Sequence, residues 1–363
     1  METVARILDQ LGEDTTLALG GLAIGALFGF FAQRARFCLR AAVIEVARMQ
    51  AGPRLAVWLL AFAAALVLTQ GLILAGVFDT ANVRQLSSPG SLSGPIIGGL
   101  LFGIGMVLAR GCSSRLLVLA ANGNLRALLS GLIFAVTAQA SMDGILSPWR
   151  EALGTLWTIE GGSARDLLAL SGLGNGGGLA FGLVWLVAGL WLARRSGIGA
   201  RISAGAIAAG LMVGCAWLFT FQLSTVSFSP TPVQSLSFTS PSADVLMLVL
   251  SPPGEPLNFD LGMVPGVFLG SFIAAALARE LKLEGFEGGH AMKRYIAGAL
   301  LMGFGGMLAG GCAVGAGVSG AAVFALTAWL TLSAMWVGAS LTDRLIDHPG
   351  SAAARARDST SPP

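Results

Sequence analysis

The chain has 363 residues, 55% of them hydrophobic and only 11% charged, with a mean hydropathy of +0.77. Soluble domains carry about 25% charged residues, so a soluble globular protein is excluded, and 51 glycines suit membrane helices packed backbone to backbone. The net charge of +3, with no basic patch interleaved with aromatics, excludes nucleic acid as a partner.

The fold class is all-α integral membrane, in a lipid bilayer. Residues 1–16 hold Glu2, Asp9, Glu13 and Asp14 and no apolar core, so no cleavable signal is expected and this segment is placed outside. Apolar runs at 17–36, 54–78, 93–109, 126–142, 176–193, 203–221, 261–278, 294–309 and 320–341 predict about nine crossings. Shorter apolar pieces at 38–47, 112–121, 235–250 and 312–319 predict re-entrant or interfacial helices, tolerated at membrane depth only inside the protein or beside a cavity. Segment 226–243, with Pro230, Pro232 and Pro241, is either a re-entrant or an outer loop. Two transmembrane halves are expected, 17–170 and 171–341, then a disordered cytoplasmic tail over 342–363. Basic clusters follow the first, third, fifth and seventh spans, which puts the N-terminus outside and the C-terminus in the cytoplasm. No Asp or Glu falls securely within a predicted span, so a carboxylate proton relay is not expected.

Residues 96–112 (IIGGLLFGIGMVLARGC) and 296–312 (IAGALLMGFGGMLAGGC) are identical at ten of seventeen positions. Both copies end in Gly-Cys, at Gly111-Cys112 and Gly311-Cys312. They sit on the third and eighth spans, five crossings apart, and so run in opposite directions. That predicts an inverted repeat with a pseudo-two-fold axis, an arrangement that places substrate sites near the midplane. A weaker match pairs Gly25–Phe37 with Gly210–Leu223.

Cys38, Cys112 and Cys312 each lie between a long apolar run and a short one. Small residues beside them, Ser113 among them, leave helix N-termini free to hold an anion. Sulfate would be satisfied by N–H and O–H donors alone. A thiol adds something only for a soft, polarisable partner such as sulfane sulfur, selenium or Cu(I). Met106, Met302 and Met307 keep copper in view, but few acids and many arginines favour an anion. Arg36, Arg40, Arg110 and Arg115 are near enough in sequence to attract one, or are simply membrane anchors. Cys215, amid large apolar residues, is the weakest candidate, since a lone cysteine packs as a small hydrophobe. Four cysteines without C-x-x-C spacing describe no disulfide scaffold. His290 and His348 lie in a loop and the tail, so no metal site, cofactor or acid–base catalysis is expected.

The stretches QRARFC at Gln33–Cys38, GIGMVLARGC at Gly103–Cys112 and GFGGMLAGGC at Gly303–Cys312 resemble the YeeE/YedE family of bacterial inner-membrane proteins, over about residues 17–341. The resemblance implies nine long and several short helices, and import of thiosulfate past Cys38, Cys112 and Cys312 by transient S–H···S contacts. It also implies a small cytoplasmic TusA-like sulfur carrier as a partner. Some relatives are linked to selenium metabolism, so a selenium compound is an alternative substrate. A transmembrane thiol–disulfide electron carrier using Cys112 and Cys312 is the alternative from another class. Cys215 matches no family motif, and Arg110 stands where the second copy has Gly310.

Overall fold

The structure is a computed structural model that describes residues 12–227, 231–252, 254, 256–286 and 288–347. The chain forms α1 (Glu13–Ala35), the short α2 (Leu39–Ala47), α3 (Pro53–Leu74) and the one-turn α4 (Arg84–Ser87). Next come α5 (Ser93–Leu108), the short α6 (Ser113–Ala121) and α7 (Leu125–Met142). After them lie α8 (Ser147–Gly154), a 3-10 turn (Gly162–Arg165) and α9 (Leu167–Ser171). The second half holds α10 (Gly174–Arg195), α11 (Ala200–Val226), α12 (Ser240–Leu250) and α13 (Phe259–Leu277). It closes with α14 (Gly288–Leu308), a π-helical turn (Gly315–Gly320) and α15 (Leu326–Ile346). Two-residue strands at Gly90–Ser91 and Thr158–Ile159 pair beside α5.

Seven helical segments among the described residues are long and apolar enough to cross a membrane. α14 and α15, at 21 residues each, have the length as well and pack on α5. This is an all-α integral membrane protein. Many of its large exposed apolar side chains stand on helix faces that lipid would cover, as with Leu183, Val184, Val187 and Trp191 on α10.

Glycine sets how close the helices come. Gly21, Gly25 and Gly29 of α1 lie against the backbone of Phe259, Met263 and Val267, and Gly262, Gly266 and Gly270 of α13 lie against Ala18, Leu22 and Ala26. Both sets ascend together, so α1 and α13 are parallel. With no hydrophobic effect between helices in lipid, such backbone approach is what holds them. α5 and α14 meet differently. A Cβ on Gly98 would lie 2.5 Å from Gly305 O, and one on Gly298 would lie 2.7 Å from Gly105 O. The contact is reciprocal at an offset of 200 residues, and the pair is antiparallel. α5 runs parallel to α15, where Gly99 faces Thr331 and Gly103 faces Met335.

Several expectations change. The run 203–221 is part of a 27-residue helix, α11. Segment 231–238 is not an outer loop: it has no helix and is threaded into the core, as a re-entrant loop would be, with Leu236 and Phe238 fully buried. Side-chain anchors replace ladder bonds there: Ser235 Oγ donates to Val213 O at 2.8 Å and Ser319 Oγ donates to Leu236 O at 2.7 Å. Only Ser240–Leu250 of the predicted piece 235–250 is helical. The carboxylates of the long helices stay outside the predicted spans, at the helix ends. Asp260 occupies the first turn of α13, and Asp343 sits near the end of α15, 1% exposed. Arg48 holds Asp343 through two bonds of 2.9 Å, which carries α15 five residues past the predicted end of its span. The remainder of the predicted tail, 348–363, and residues 1–11 lie outside the described residues, as do His290's side chain and His348.

Candidate functional site

Each of the three cysteines comes just after the same kind of turn. At the end of α1, Arg36 takes a left-handed conformation (φ 54°), its N–H bonds Gln33 O at 3.1 Å, and Phe37 N–H bonds Ala32 O at 3.0 Å. At the end of α5, Arg110 is left-handed (φ 57°), with Arg110 N–H on Val107 O and Gly111 N–H on Met106 O. At the end of α14, Gly310 (φ 76°) repeats the pattern with Met307 and Gly306. This is the Schellman closure, which satisfies the last carbonyls of a helix. In all three the cysteine stands two residues after the left-handed one and opens the next element. Cys38 caps α2, Cys112 caps α6 and Cys312 precedes the π-helical turn. Arginine in a left-handed turn costs about 1–2 kcal/mol that glycine avoids.

The cysteines fall into two groups. Cys38 and Cys112 share a side-chain hydrogen bond, with the guanidinium groups of Arg115 and Arg40 close by. Cys112 Sγ also lies 3.5 Å from Ser114 Oγ, and the Ser113 hydroxyl beside it is buried with no partner among the described residues. Arg115 Nη1 donates to Gln33 Oε1 at 3.3 Å. Beyond them opens a cavity of about 480 Å³, lined by Arg36, Arg54, Arg115, Arg279 and Lys282 against Glu280 and Glu284.

Cys312 is at the opposite end of the α5–α14 pair, because that pair is antiparallel and each cysteine terminates its own helix. Its sulfur accepts the Gly315 N–H at 3.4 Å. The predicted short helix 312–319 is thus replaced by a π-helical turn whose first glycine N–H goes to the cysteine itself. A Cβ on Gly311 would sit 2.9 Å from the Ala316 N, whereas one on Gly111 would meet side chains and no backbone, nearest Leu116 at 3.3 Å. Next to this end is a second cavity of about 240 Å³, lined among others by Arg84, Ser91, Arg165, Gly310, Gly315 and Thr327.

The predicted set divides accordingly. Cys38, Cys112, Gly111 and Ser113 come together, and Cys312 and Gly311 form the second group. Arg36 is exposed and pairs with Glu280 at 3.4 Å, and Arg110 is exposed over the Tyr295 ring at 5.9 Å. Cys215 lies within α11, half-buried and away from any helix break. Sequence reasoning missed Arg84 and Arg165. Arg84 is the lone arginine of the segment 79–92, which was an available signal, whereas Arg165 shares the segment 143–175 with Arg150 and carried none.

A family profile described as sulphur transport matches residues 34–341. The chain is 28% identical to the thiosulfate transporter TsuA of Escherichia coli (strain K12) over 358 residues, covering 89% of this chain and 93% of that protein. It is also 28% identical to the thiosulfate transporter TsuA of Spirochaeta thermophila over 326 residues, covering 85% of this chain and 93% of that one. The matched region takes in all three cysteines and the helices α5 and α14 that lead to two of them, and the chain belongs to the sulphur-transport family.

Proposed function

We propose that the protein is a permease for thiosulfate, conducting it inward from the Cys312 end to the Cys38–Cys112 end. The observation that carries this is the placement of three thiols at three identical helix-ending turns, in two groups, with a cation-lined cavity beyond each group. A neutral thiol does not repel an anion and donates only a weak bond to its soft sulfur. Weak sites in series favour passage, since tight binding would trap the ion. The relay is Cys312, then Cys112 and Cys38, with a TusA-like carrier receiving the product in the cytoplasm.

The reciprocal glycine contacts of α5 and α14 support an inverted pseudo-two-fold repeat of halves 17–170 and 171–341. Parallel α1 and α13, antiparallel α5 and α14, and parallel α5 and α15 are all consistent with nine alternating crossings. Positive-inside counting supports an N-terminus outside and a C-terminus in the cytoplasm, and the family resemblance supports the inner membrane.

A second reading has its own support. The Cys38–Cys112 contact would suit a thiol–disulfide exchanger, whereas Cys112 and Cys312, at opposite ends, are poorly placed for a disulfide, which needs Cα atoms within about 7 Å. One experiment separates the two. A strain lacking thiosulfate uptake, supplied with thiosulfate as sole sulfur source, is expected to grow when it expresses this protein. Alkylation and mass spectrometry of the same cells should find Cys38 and Cys112 reduced. Failure to grow, with Cys38–Cys112 disulfide accumulating, would replace the permease by the exchanger.

A further inference from the structure

Arg34 is the charged side chain at the Cys38 end that the thiol path does not use. It is exposed in the last turn of α1, and Arg54 is exposed in the first turn of α3. Neither guanidinium has a carboxylate or hydrogen-bond partner among the described residues. Both line one groove of about 550 Å³, walled by the end of α1, the start of α3 and the α10–α11 link at Ser196 to Gly199. Two carboxylates stand near, and both are already taken. Glu280 lies 3.4 Å from Arg36 and accepts Gln33 Nε2 at 3.0 Å. Glu45 accepts the backbone N–H groups of Arg54 and Leu55 at 3.1 and 2.8 Å. Arg36, Arg54 and Glu280 also line the cavity beyond Cys38 and Cys112, whereas Arg34 lines this groove alone, and Gln33 and Arg115 line only the other.

The groove lies where membrane-crossing helices end: α1 stops there, α3 starts, and α10 hands over to α11. Ends of crossing helices stand at the headgroup level of a bilayer. Trp191, 58% exposed near the end of α10 with the Arg195 guanidinium 5.3 Å over its ring, marks the same level, where tryptophan is enriched. The rest of the lining turns apolar at Val57, Ile198 and Ile202, and Ile202 is exposed on α11. α11 also begins here, at Gly199, without a side-chain cap, so its dipole adds a positive end. A fitting ligand is anionic at one end and apolar at the other.

We propose that this groove binds the headgroup of an anionic phospholipid, with Arg34 and Arg54 on the phosphate oxygens and an acyl chain beside Ile202. A guanidinium matches two oxygens of a phosphate at once. A soluble anion satisfies the arginines and leaves the apolar wall bare, whereas a zwitterionic lipid brings a cation of its own to them. The bound phosphate joins the end of α1 to the start of α3, the two helices that flank the Cys38 turn and α2, and so braces that turn from outside the thiol path. The site stands whether or not that path carries thiosulfate.

The test uses the full-length protein in detergent, with phosphatidylglycerol, phosphatidylcholine or inorganic phosphate added. Thermal unfolding and native mass spectrometry are the readouts. Phosphatidylglycerol should raise the unfolding temperature and stay bound in the spectrometer, phosphatidylcholine should do less, and inorganic phosphate should do neither. Arg34→Gln and Arg54→Gln should each weaken phosphatidylglycerol binding about fivefold, the equivalent of ~1 kcal/mol for one arginine at headgroup level. Arg34→Lys should keep most of the affinity. Arg344, exposed near the end of α15, does not line the groove, and Arg344→Gln should bind as the wild type does. Equal effects of the two lipids, or protection by inorganic phosphate as large as by phosphatidylglycerol, would overturn the lipid site. So would wild-type affinity in both Arg34→Gln and Arg54→Gln, or an equal loss in Arg344→Gln. No readout depends on uptake, so failure of the permease reading leaves this result standing.

Discussion

The two ends of the α5–α14 pair are built from one sequence pattern and have come to differ. At the Cys112 end the left-handed residue is Arg110, a second cysteine joins the first, and the cavity beyond mixes five cations with two carboxylates. At the Cys312 end the left-handed residue is Gly310, the thiol stands apart from Cys38 and Cys112, and the smaller cavity has two arginines and no acid. A repeat supplies the turn that holds a cysteine at a helix break, and divergence around the turn supplies direction. The Cys312 end is suited to capture, since its cations have no internal counter-charge. The Cys112 end is suited to release, because Glu280 and Glu284 compete with an anion for the same cations.

The difference between the ends is most vulnerable at the glycines before the cysteines. Gly311→Ala forces a Cβ against the Ala316 backbone and is expected to abolish uptake. Gly111→Ala meets side chains and no backbone and should keep measurable uptake. Similar losses in both would mean that the turns are equivalent after all.

A second prediction concerns the Arg48–Asp343 pair, which ties α2, and with it the Cys38 turn, to α15. Asp343→Asn is expected to lower stability by about 2 kcal/mol, between the values for exposed and buried pairs, read as thermal unfolding in detergent. No comparable pair among the described residues braces the π-helical turn after Cys312, so Gly310→Ala should act only through its left-handed strain, about 1–2 kcal/mol.

Smaller effects bear on the same contrast. Arg110→Gly removes a strained left-handed side chain and should stabilise the protein by about 1 kcal/mol, a gain that Gly310 already has. Asp347 is held below its usual carboxylate range by hydrogen bonds from Arg294, with Arg40 adding to the effect. A depressed folded-state pKa stabilises above the unfolded value, about 3.9, and that stability is lost as pH falls through the folded value. Asp347→Asn should therefore be less stable than the wild type at pH 7, and the difference should close as pH falls through the folded value, below the unfolded one.

Much of this was legible in the sequence. Runs of apolar residues located the long helices, and the place of each cysteine between a long apolar run and a short one located the three helix breaks, because a helix end and the residue that follows it are local features. Cys38 meeting Cys112 was not legible, since 74 residues separate them and helix packing decides the contact. The same holds for Asp343, whose burial depends on Arg48 from the other end of the chain. Segment 231–238 was ambiguous for another reason: its proline and serines suit an outer loop as well as a re-entrant one, and what decides is that Ser235 and Ser319 satisfy its surroundings inside the core.

Passage of soft sulfur along three thiols is tested most directly by uptake of labelled thiosulfate into liposomes. Wild type, Cys38→Ala, Cys112→Ala, Cys312→Ala and Cys215→Ala would be compared at matched protein content. Uptake should fall about tenfold or more in each of the first three variants, the equivalent of ~1.4 kcal/mol, and stay near wild type in Cys215→Ala. Wild-type rates in Cys38→Ala, Cys112→Ala and Cys312→Ala alike would contradict it.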